Sequence, residues 1–448
     1  MDAQGILDLS RWIAEAGLRG VPETDLIGGF CERLVAAGVP LTRTVVGADT
    51  LHPTIAGHVV TWDSSGRNAA EVRRTEYGGD GSDPDIDEKW LRSPFHRLYT
   101  SGETMLRLRL TEGAEGGEFP IVDELRAQGA TDYMAIVNRL GPRAAIGELD
   151  CIFSSWVSHH PDGFSDAQRD ALLTLTGSLA LALRGHAMAH IANTLAETYL
   201  GRDAGHRVLR GHIRRGVAEE LDAVLWFSDL QGFTRITDTA APETILPLLN
   251  DYAELVVTAI HRHHGQVLKF MGDGILAVFD RSSAEDACRA ALDAAEEARA
   301  RCKELNARRS AAGLPVTRFY LGLHQGKVFY GNIGGVDRLD FTVVGPAVNE
   351  ASRIAAMCRS LDQDILLSSA FTESAPECRE RLISVGRYLL RGVARPRGPG
   401  AARPPPGCGE FRPPAARSRP RLRNRRWRRR TARASACGCR RVPGSRAN

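Results

Sequence analysis

The chain has 448 residues, 43% of them hydrophobic, which is enough apolar material for two or three folded domains. Its net charge of +4 is uneven: residues 397–448 contain 16 arginines and one acid, Glu410, so this stretch carries +15 and residues 1–396 carry −11. The best uncharged apolar run, 171–183, has 13 residues against the roughly 20 that span a bilayer, so we expect no membrane segment.

The N-terminus and the cysteines both favour the cytoplasm. The first five residues lack the basic region and apolar core of a secretory signal. Six of the nine cysteines are scattered between Cys31 and Cys378 without paired spacing, which is typical of buried thiols in a reducing compartment. We therefore predict a cytoplasmic protein.

Residues 1–190 show the pattern of an α/β domain. Ser165 and Gln168 form a predicted capping box, and the helix that it starts continues to Leu200. The other predicted elements are a helix at 26–37, strands at 42–47, 58–62, 133–137 and 150–154, and a glycine- and aspartate-rich loop at 78–85. A polar linker follows at 201–220, and 191–220 is predicted to be a helical linker between domains.

The order of helix, sheet and long exit helix resembles GAF-type sensor domains of bacterial signalling proteins. The resemblance implies a sensor for a ligand or signal that the sequence does not name. A structural or dimerising α/β domain without a ligand is the alternative, because fold-level analogy does not carry function.

Residues 221–396 alternate between strands and helices more clearly. The predicted strands are 224–230, 267–270, 275–279, 319–324, 328–333, 365–367 and 382–390, and the predicted helices are 241–264, 284–310 and 347–357. The pairs 267–279 and 319–333 are predicted as hairpins. The opening order β-α-β-β-α-β predicts an α+β fold of the ferredoxin-like type.

Two acids occupy neighbouring positions in that predicted fold. Asp229 ends the first strand, and Asp273 lies in the turn of the first hairpin. Two carboxylates without a full protein cage are typical of Mg²⁺ bound together with substrate phosphates. The helix after Asp229, starting near Phe233 and Thr234, would present free backbone N–H groups to an anion. The sequence therefore predicts a metal and phosphate site.

Four motifs occur in order, at 227–234, 268–274, 323–334 and 340–353. Together they resemble the catalytic domain of class III nucleotidyl cyclases, and the resemblance covers residues 222–396. It implies an adenylate cyclase, a phosphorus–oxygen lyase that converts ATP to 3′,5′-cyclic AMP and pyrophosphate in a signalling pathway.

The resemblance also implies roles for the metal ligands. Asp229, Asp273 and the backbone carbonyl of Leu230 would bind two Mg²⁺ or Mn²⁺ ions. One ion would activate the ribose 3′-hydroxyl, and the other would hold the triphosphate and stabilise the leaving pyrophosphate.

The remaining implied roles concern the nucleotide. Asn349 would orient the ribose, Arg353 would neutralise charge on the α-phosphate, and Arg391 would contact the terminal phosphates. Lys269 would donate to adenine N1, and Thr342 would accept from the exocyclic amine. In this family the metals come from one subunit of a dimer and the other groups from its partner, so a homodimer is implied.

Two other functions are compatible with the sequence. One is a non-catalytic sensor or dimerisation protein whose cyclase-like domain is impaired. The other is nucleic-acid binding through the arginine-rich segment 421–430, which is less favoured because basic tails are often simply disordered. Residues 397–448 are dense in Pro, Gly and Arg, so we predict a disordered tail in place of the strand that normally closes such a domain.

Overall fold

The computed structural model describes residues 1–53, 55–64, 70–78, 84–111, 118–141, 146–147, 149–386, 388 and 400–402. Met1–Arg403 form one compact unit that contains two sheets. Among the described helices, none combines the length and apolar composition needed to cross a bilayer.

The first sheet has six antiparallel strands in the order β3-β2-β1-β6-β5-β4. Its strands are β1 Arg43–Asp49, β2 Ile55–Asp63, β3 Glu71–Gly78, β4 Met105–Arg109, β5 Asp132–Arg139 and β6 Cys151–Ser158. The helices of this region are α1 Ala3–Leu18, α2 Glu23–Ala36, α3 Pro84–Leu91, α4 Pro94–Ser101, α5 Pro120–Ala127 and α6 Asp166–Leu200. Residues of α1, α2 and α6 share one apolar core with the sheet.

The long helix α6 is confirmed together with its capping box. The Ser165 hydroxyl accepts from the Gln168 backbone N–H at 3.3 Å, and the Gln168 side chain accepts from the Ser165 backbone N–H at 2.9 Å. The predictions missed α1, α4, α5, β3 and β4. The loop predicted at 78–85 is corrected at Pro84, where α3 begins, and residues 79–83 lie outside the described residues. The GAF-like assignment stays a prediction.

The stretch predicted as a polar linker contains regular structure. Helix α7, Arg202–Leu209, follows α6 after the single residue Gly201, and strand β7 begins at Ala218. Gly201 has φ +84°, and a Cβ there would lie 2.7 Å from the backbone oxygen of Val267. Glycine therefore permits the close approach of this connection to the second sheet.

The second sheet contains the ferredoxin-like arrangement, so the predicted fold class is confirmed. Its strands run in the order β13-β14-β12-β10-β7-β9-β8, and β11 pairs with β10. The strands are β7 Ala218–Leu230, β8 Gln266–Met271, β9 Gly274–Phe279, β10 Phe319–Gly334, β11 Leu339–Val344, β12 Ile365–Leu367, β13 Leu382–Ser384 and β14 Gly400–Ala402. The first four in chain order lie as 4-1-3-2, which is the ferredoxin-like order.

Helices cover both faces of this sheet. They are α8 Phe233–Thr239, α9 Ile245–Arg262, α10 Ala284–Ala311, α11 Pro346–Leu361 and α12 Ser369–Ser374, with 3-10 helices at Pro242–Thr244 and Pro376–Arg381. Helices α9 and α10 pack on one side in a large apolar core. Helices α7 and α11 contribute to a separate core on the other side.

Three predictions in this region need correction. The hairpin predicted at 319–333 is one continuous strand, β10, because β7 is long enough to pair with it from Phe319 to Gly331. The turn lies instead between β10 and β11. The strand predicted at 382–390 is limited to Leu382–Ser384 among the described residues.

The third correction concerns the closing strand. Gly400–Ala402, inside the predicted tail, form β14, which pairs antiparallel with both β12 and β13. A short strand therefore occupies the place where none was predicted. Residues 403–448, including the arginine-rich segment 421–430, lie outside the described residues.

Candidate active site

Adjacent strands bring the two predicted metal ligands together. Strands β7 and β9 pair up to Ser228 opposite Ile275, so Asp229 at the end of β7 lies beside the turn that holds Asp273. Gly272, with φ +65°, allows this tight turn between β8 and β9. The backbone N–H of Leu230 donates to Asp273 Oδ2 at 3.1 Å, which fixes the turn against β7.

Asp229 is half-buried, and one of its carboxylate oxygens lacks a hydrogen-bond donor. Its Oδ1 is buried and accepts no hydrogen bond from any described residue. Burial, and then the negative charge of Asp273, raises the pKa of Asp229, while the nearby Arg359 guanidinium opposes the shift. A buried carboxylate oxygen without a donor is costly unless a cation pairs with it. The site therefore fits a bound cation.

The carboxylates line a cavity of about 240 Å³ that also borders α9 and Phe270. Among the described residues, no group of three or more histidine, cysteine or acidic side chains is arranged to hold a metal ion. A hard cation at Asp229 and Asp273 would therefore complete its coordination with waters or substrate oxygens. Mg²⁺ is typically bound in this way in sites that take substrate phosphates.

The predicted phosphate-binding turn directly follows the metal ligands. Gly232 is left-handed, with φ +69°, and α8 begins at Phe233 and Thr234. A groove of about 800 Å³ borders Gly232, and its lining residues include Arg235, Arg318 and Arg359, of which Arg318 also pairs with Asp364 at 3.2 Å. These cations make the groove attractive to anions. Arg391 lies outside the described residues.

Lys269 is directed by an irregularity in β8. The ladder between β8 and β9 shifts register between Val267 and Lys269, a β-bulge of the kind that re-aims a side chain. The Lys269 ammonium donates to Asp340 Oδ2, at the start of β11, at 2.7 Å.

Thr342 lies two residues beyond Asp340 on β11. It pairs with Gly331 of β10, and it is only 7% exposed. Its hydroxyl finds no hydrogen-bond partner in the described part of the chain. Lys269 therefore contacts β11 through Asp340, on the strand that also carries Thr342.

Asn349 and Arg353 lie on α11, which begins at Pro346, a residue favoured at the first helical position. They are four residues apart and therefore share one face of the helix. Asn349 is exposed and Arg353 is half-buried. Neither side chain has a hydrogen-bond or ion-pair partner among the residues that the structure describes, so both are available to a ligand or a partner subunit.

Sequence reasoning missed two charged residues at this site. Asp340 lies in the motif 340–353, two residues before Thr342. On a strand this spacing places both side chains on the same face, and that spacing was the signal by which the sequence could have indicated Asp340. Arg359 lies on the same helix as Arg353, but one arginine among 54 carries little information. Only the fold shows that its charge acts on Asp229.

The ferredoxin-like sheet and the paired aspartates lie in the part of the chain that a nucleotide cyclase family model matches. The adenylate and guanylate cyclase catalytic domain family matches residues 217–398, and this part of the chain belongs to that family.

Relatives with curated names include two adenylate cyclases. Adenylate cyclase 1 of Rhizobium meliloti is 31% identical over 193 residues, which cover 42% of this chain and 27% of that protein. The adenylate cyclase of Anabaena cylindrica is 32% identical over 168 residues, covering 37% of this chain and 34% of that protein. The chain thus matches about a quarter to a third of the length of these relatives.

Solved structures of cyclases are similar over the same share of the chain. The adenylyl cyclase CyaB from P. aeruginosa is 23% identical with a TM-score of 0.38, covering 42% of this chain and 96% of that one. The guanylyl cyclase Cya2 is 29% identical with a TM-score of 0.37, covering 41% and 93%.

Proposed function

We propose that this protein is an adenylate cyclase that converts ATP to 3′,5′-cyclic AMP and pyrophosphate. The observation that carries the proposal is the buried, unpartnered Oδ1 of Asp229 beside Asp273, within a domain of the cyclase family. Such a pair is unfavourable by itself and becomes favourable when divalent cations and phosphates enter.

Asp229, Asp273 and the backbone carbonyl of Leu230 would hold two Mg²⁺ or Mn²⁺ ions. When bound, the ions supply activation of the ribose 3′-hydroxyl and stabilisation of the pyrophosphate leaving group. The protein itself contributes the fixed carboxylates and the backbone N–H groups at the start of α8, near Phe233 and Thr234. Arg391 is proposed as a further contact to the terminal phosphates.

The base and the ribose are assigned to the second group of residues. The Lys269 ammonium would donate to adenine N1, and the buried Thr342 hydroxyl would accept from the exocyclic amine. Asn349 would orient the ribose, and Arg353 would neutralise charge on the α-phosphate in the transition state. The names of the two adenylate cyclase relatives support adenine over guanine.

A homodimer with shared active sites is part of the proposal. The hairpin of β10 and β11 exposes several large apolar side chains, among them Phe329 at 53% and Val336 at 90% exposure. Several large exposed apolar side chains on one hairpin are typical of an interaction site. A second copy of this chain would cover the hairpin and bring Asn349 and Arg353 to the partner's metal site.

The other regions of the chain are assigned from their sequence pattern. Residues 1–190 are proposed as a GAF-like sensor or dimerisation domain, 191–220 as a helical linker and 221–396 as the catalytic domain. The six described cysteines are buried and free, which supports the cytoplasm.

The test is to incubate the purified full chain with ATP or GTP and with Mg²⁺ or Mn²⁺, and to measure the cyclic nucleotide by mass spectrometry. We expect cyclic AMP, and we expect D229N and D273N to abolish it. E304Q removes one exposed carboxylate from α10 and serves as the matched control. Cyclic AMP formation by D273N at the wild-type rate would overturn the metal assignment, and an inactive wild type would favour the non-catalytic alternative.

Shared sites are tested by mixing two inactive variants. D273A and R353A should each be nearly inactive, and a mixture should recover activity because one site of each heterodimer receives both substitutions while the other receives neither. Labelled subunits must first be shown to exchange. Absence of recovery in exchanged dimers would mean that each chain supplies a complete site.

A further inference from the structure

The ammonium of Lys269 is already engaged in the protein. It donates to Asp340 Oδ2 at 2.7 Å, and the two side chains are 33% and 54% exposed. Lysine has three N–H donors, so this contact leaves two for a ligand. The contact also limits the directions in which a flexible side chain can present them.

Asp340 and Thr342 lie on one face of β11, because side chains two residues apart on a strand point the same way. They pair with Ile333 and Gly331 of β10, respectively. Lys269 of β8 contacts this face of β11 through its ion pair with Asp340.

The hydroxyl of Thr342 is an unsatisfied polar group on this face of β11. It belongs to a residue that is more than nine-tenths buried, and it has no partner among the described residues. Buried polar groups in folded proteins are almost always hydrogen-bonded. A ligand with a donor or an acceptor would satisfy it.

A hydroxyl alone cannot choose between the two purines. It can accept from the exocyclic amine of adenine, and it can equally donate to the O6 carbonyl of guanine. A carboxylate is acceptor-only when ionised, so it is compatible with the amine and repels the carbonyl oxygen. Lysine discriminates at the neighbouring atom, because its donors match adenine N1 and oppose the N1–H of guanine.

We propose that Asp340 is a positioning and specificity-determining residue, which holds the Lys269 ammonium at the face of β11 that also carries Thr342 and disfavours guanine through its negative charge. The inference rests on the proposed nucleotide site and deepens it, because it assigns the preference for adenine to three residues in place of two. Asp340 acts mainly through Lys269 and is not a catalytic residue.

The decisive variant is D340N, which keeps the shape of the side chain and replaces an acceptor oxygen with a donor amide. We expect the ratio of kcat/KM for ATP to that for GTP to fall by about ten- to hundredfold, the range of one hydrogen bond to a charged group. D340A should also reduce the ratio, with a rise in the KM for ATP as its larger effect. K269M combined with D340N should lose little beyond K269M alone, because both act through one contact.

E220Q is the matched control. Glu220 forms another exposed lysine–carboxylate pair in the same sheet, with Lys327 at 2.6 Å. Loss of either surface pair should change thermal stability little. A merely structural Asp340 would therefore behave as Glu220 does in both stability and nucleotide preference.

Binding of fluorescent N-methylanthraniloyl ATP and GTP gives a readout that is independent of turnover. An unchanged ATP-to-GTP preference in D340N, in a wild type that binds or converts ATP, overturns this inference and leaves the proposed function standing. A wild type that neither binds nor converts either nucleotide overturns both. A lowered preference in D340N with the E220Q preference unchanged supports the inference.

Discussion

Substitution of Asp229 by asparagine should stabilise the metal-free protein while it removes function. Asp229 Oδ1 is buried without a donor among the described residues, and Asp273 adds like-charge repulsion. D229N removes the negative charge, and with it the cost of burying a charge and the repulsion from Asp273, without changing the shape of the side chain. Relief of a strained functional site typically contributes about 0.5–2 kcal/mol to the free energy of unfolding. A domain of this size gains roughly 2–4 °C in Tm per kcal/mol.

The pH dependence has a definite sign. The folded-state pKa of Asp229 is raised above its ordinary value of 3.8, so the folded protein binds the proton more tightly than the unfolded chain. The associated stability is present below pH 3.8 and is lost as the pH rises through the folded-state pKa. D229N has no carboxyl group at this position and therefore lacks this loss. The difference in unfolding free energy between D229N and wild type should grow as the pH rises from 3.8 through the folded-state pKa of Asp229, and it should remain constant at higher pH.

Metal ions should make wild type more stable than D229N, the reverse of the order expected without metal. Wild type should gain about 2.7 kcal/mol when free Mn²⁺ is about 100 times its dissociation constant, and D229N should gain much less. The assay is thermal unfolding at neutral pH, in chelator and in Mn²⁺, with E304Q as the control. D229N should lose more activity than the roughly 10- to 100-fold that is lost when residues behind the metal ligands are changed. A D229N protein that is less stable than wild type in chelator would refute the reasoning.

Three further predictions concern stability. G201A should lose about 1–3 kcal/mol of unfolding free energy in urea, because a Cβ at this position would meet the Val267 carbonyl. G211A is the control, since Gly211 also has a positive φ, +89°, but has open space around it, and it should lose less. Equal losses would show that the contact with Val267 contributes nothing. D132N should lose about 3–5 kcal/mol, because Asp132 is fully buried and pairs with Arg107 at 2.7 Å, and a loss below about 1 kcal/mol would contradict this. A chain that ends after position 403 should keep the melting temperature of the full chain. A chain that ends after position 396 should melt at a lower temperature, because it lacks β14. Identical melting temperatures of the two truncated chains would argue against a role for that strand.

The elements that sequence predicted well have strong local signals. Helix α6 has both halves of a capping box at Ser165 and Gln168, and the hairpin of β8 and β9 has a glycine-rich turn around Asp273. The hairpin predicted at 319–333 failed because Gly326 looks like a turn residue locally. The long partner strand β7 keeps that glycine in the ladder opposite Ala223. Local propensity gave way to pairing with a distant segment.

The candidate site also has a part that the sequence predicted and a part that only the fold shows. The identities of the candidate ligands, Asp229, Asp273, Lys269 and Thr342, were predictable because each stands in a short motif, and the sequence alone also determined the cyclase resemblance and the order of the elements. Two facts depended on the tertiary structure: that Lys269 is held by Asp340, and that Arg359 acts on Asp229. Asp340 lies 71 residues from Lys269 along the chain, and their contact forms only when β11 folds back on β10 near β8. Burial and charge pairing are properties of neighbours in space, and sequence spacing does not encode which distant side chains become neighbours.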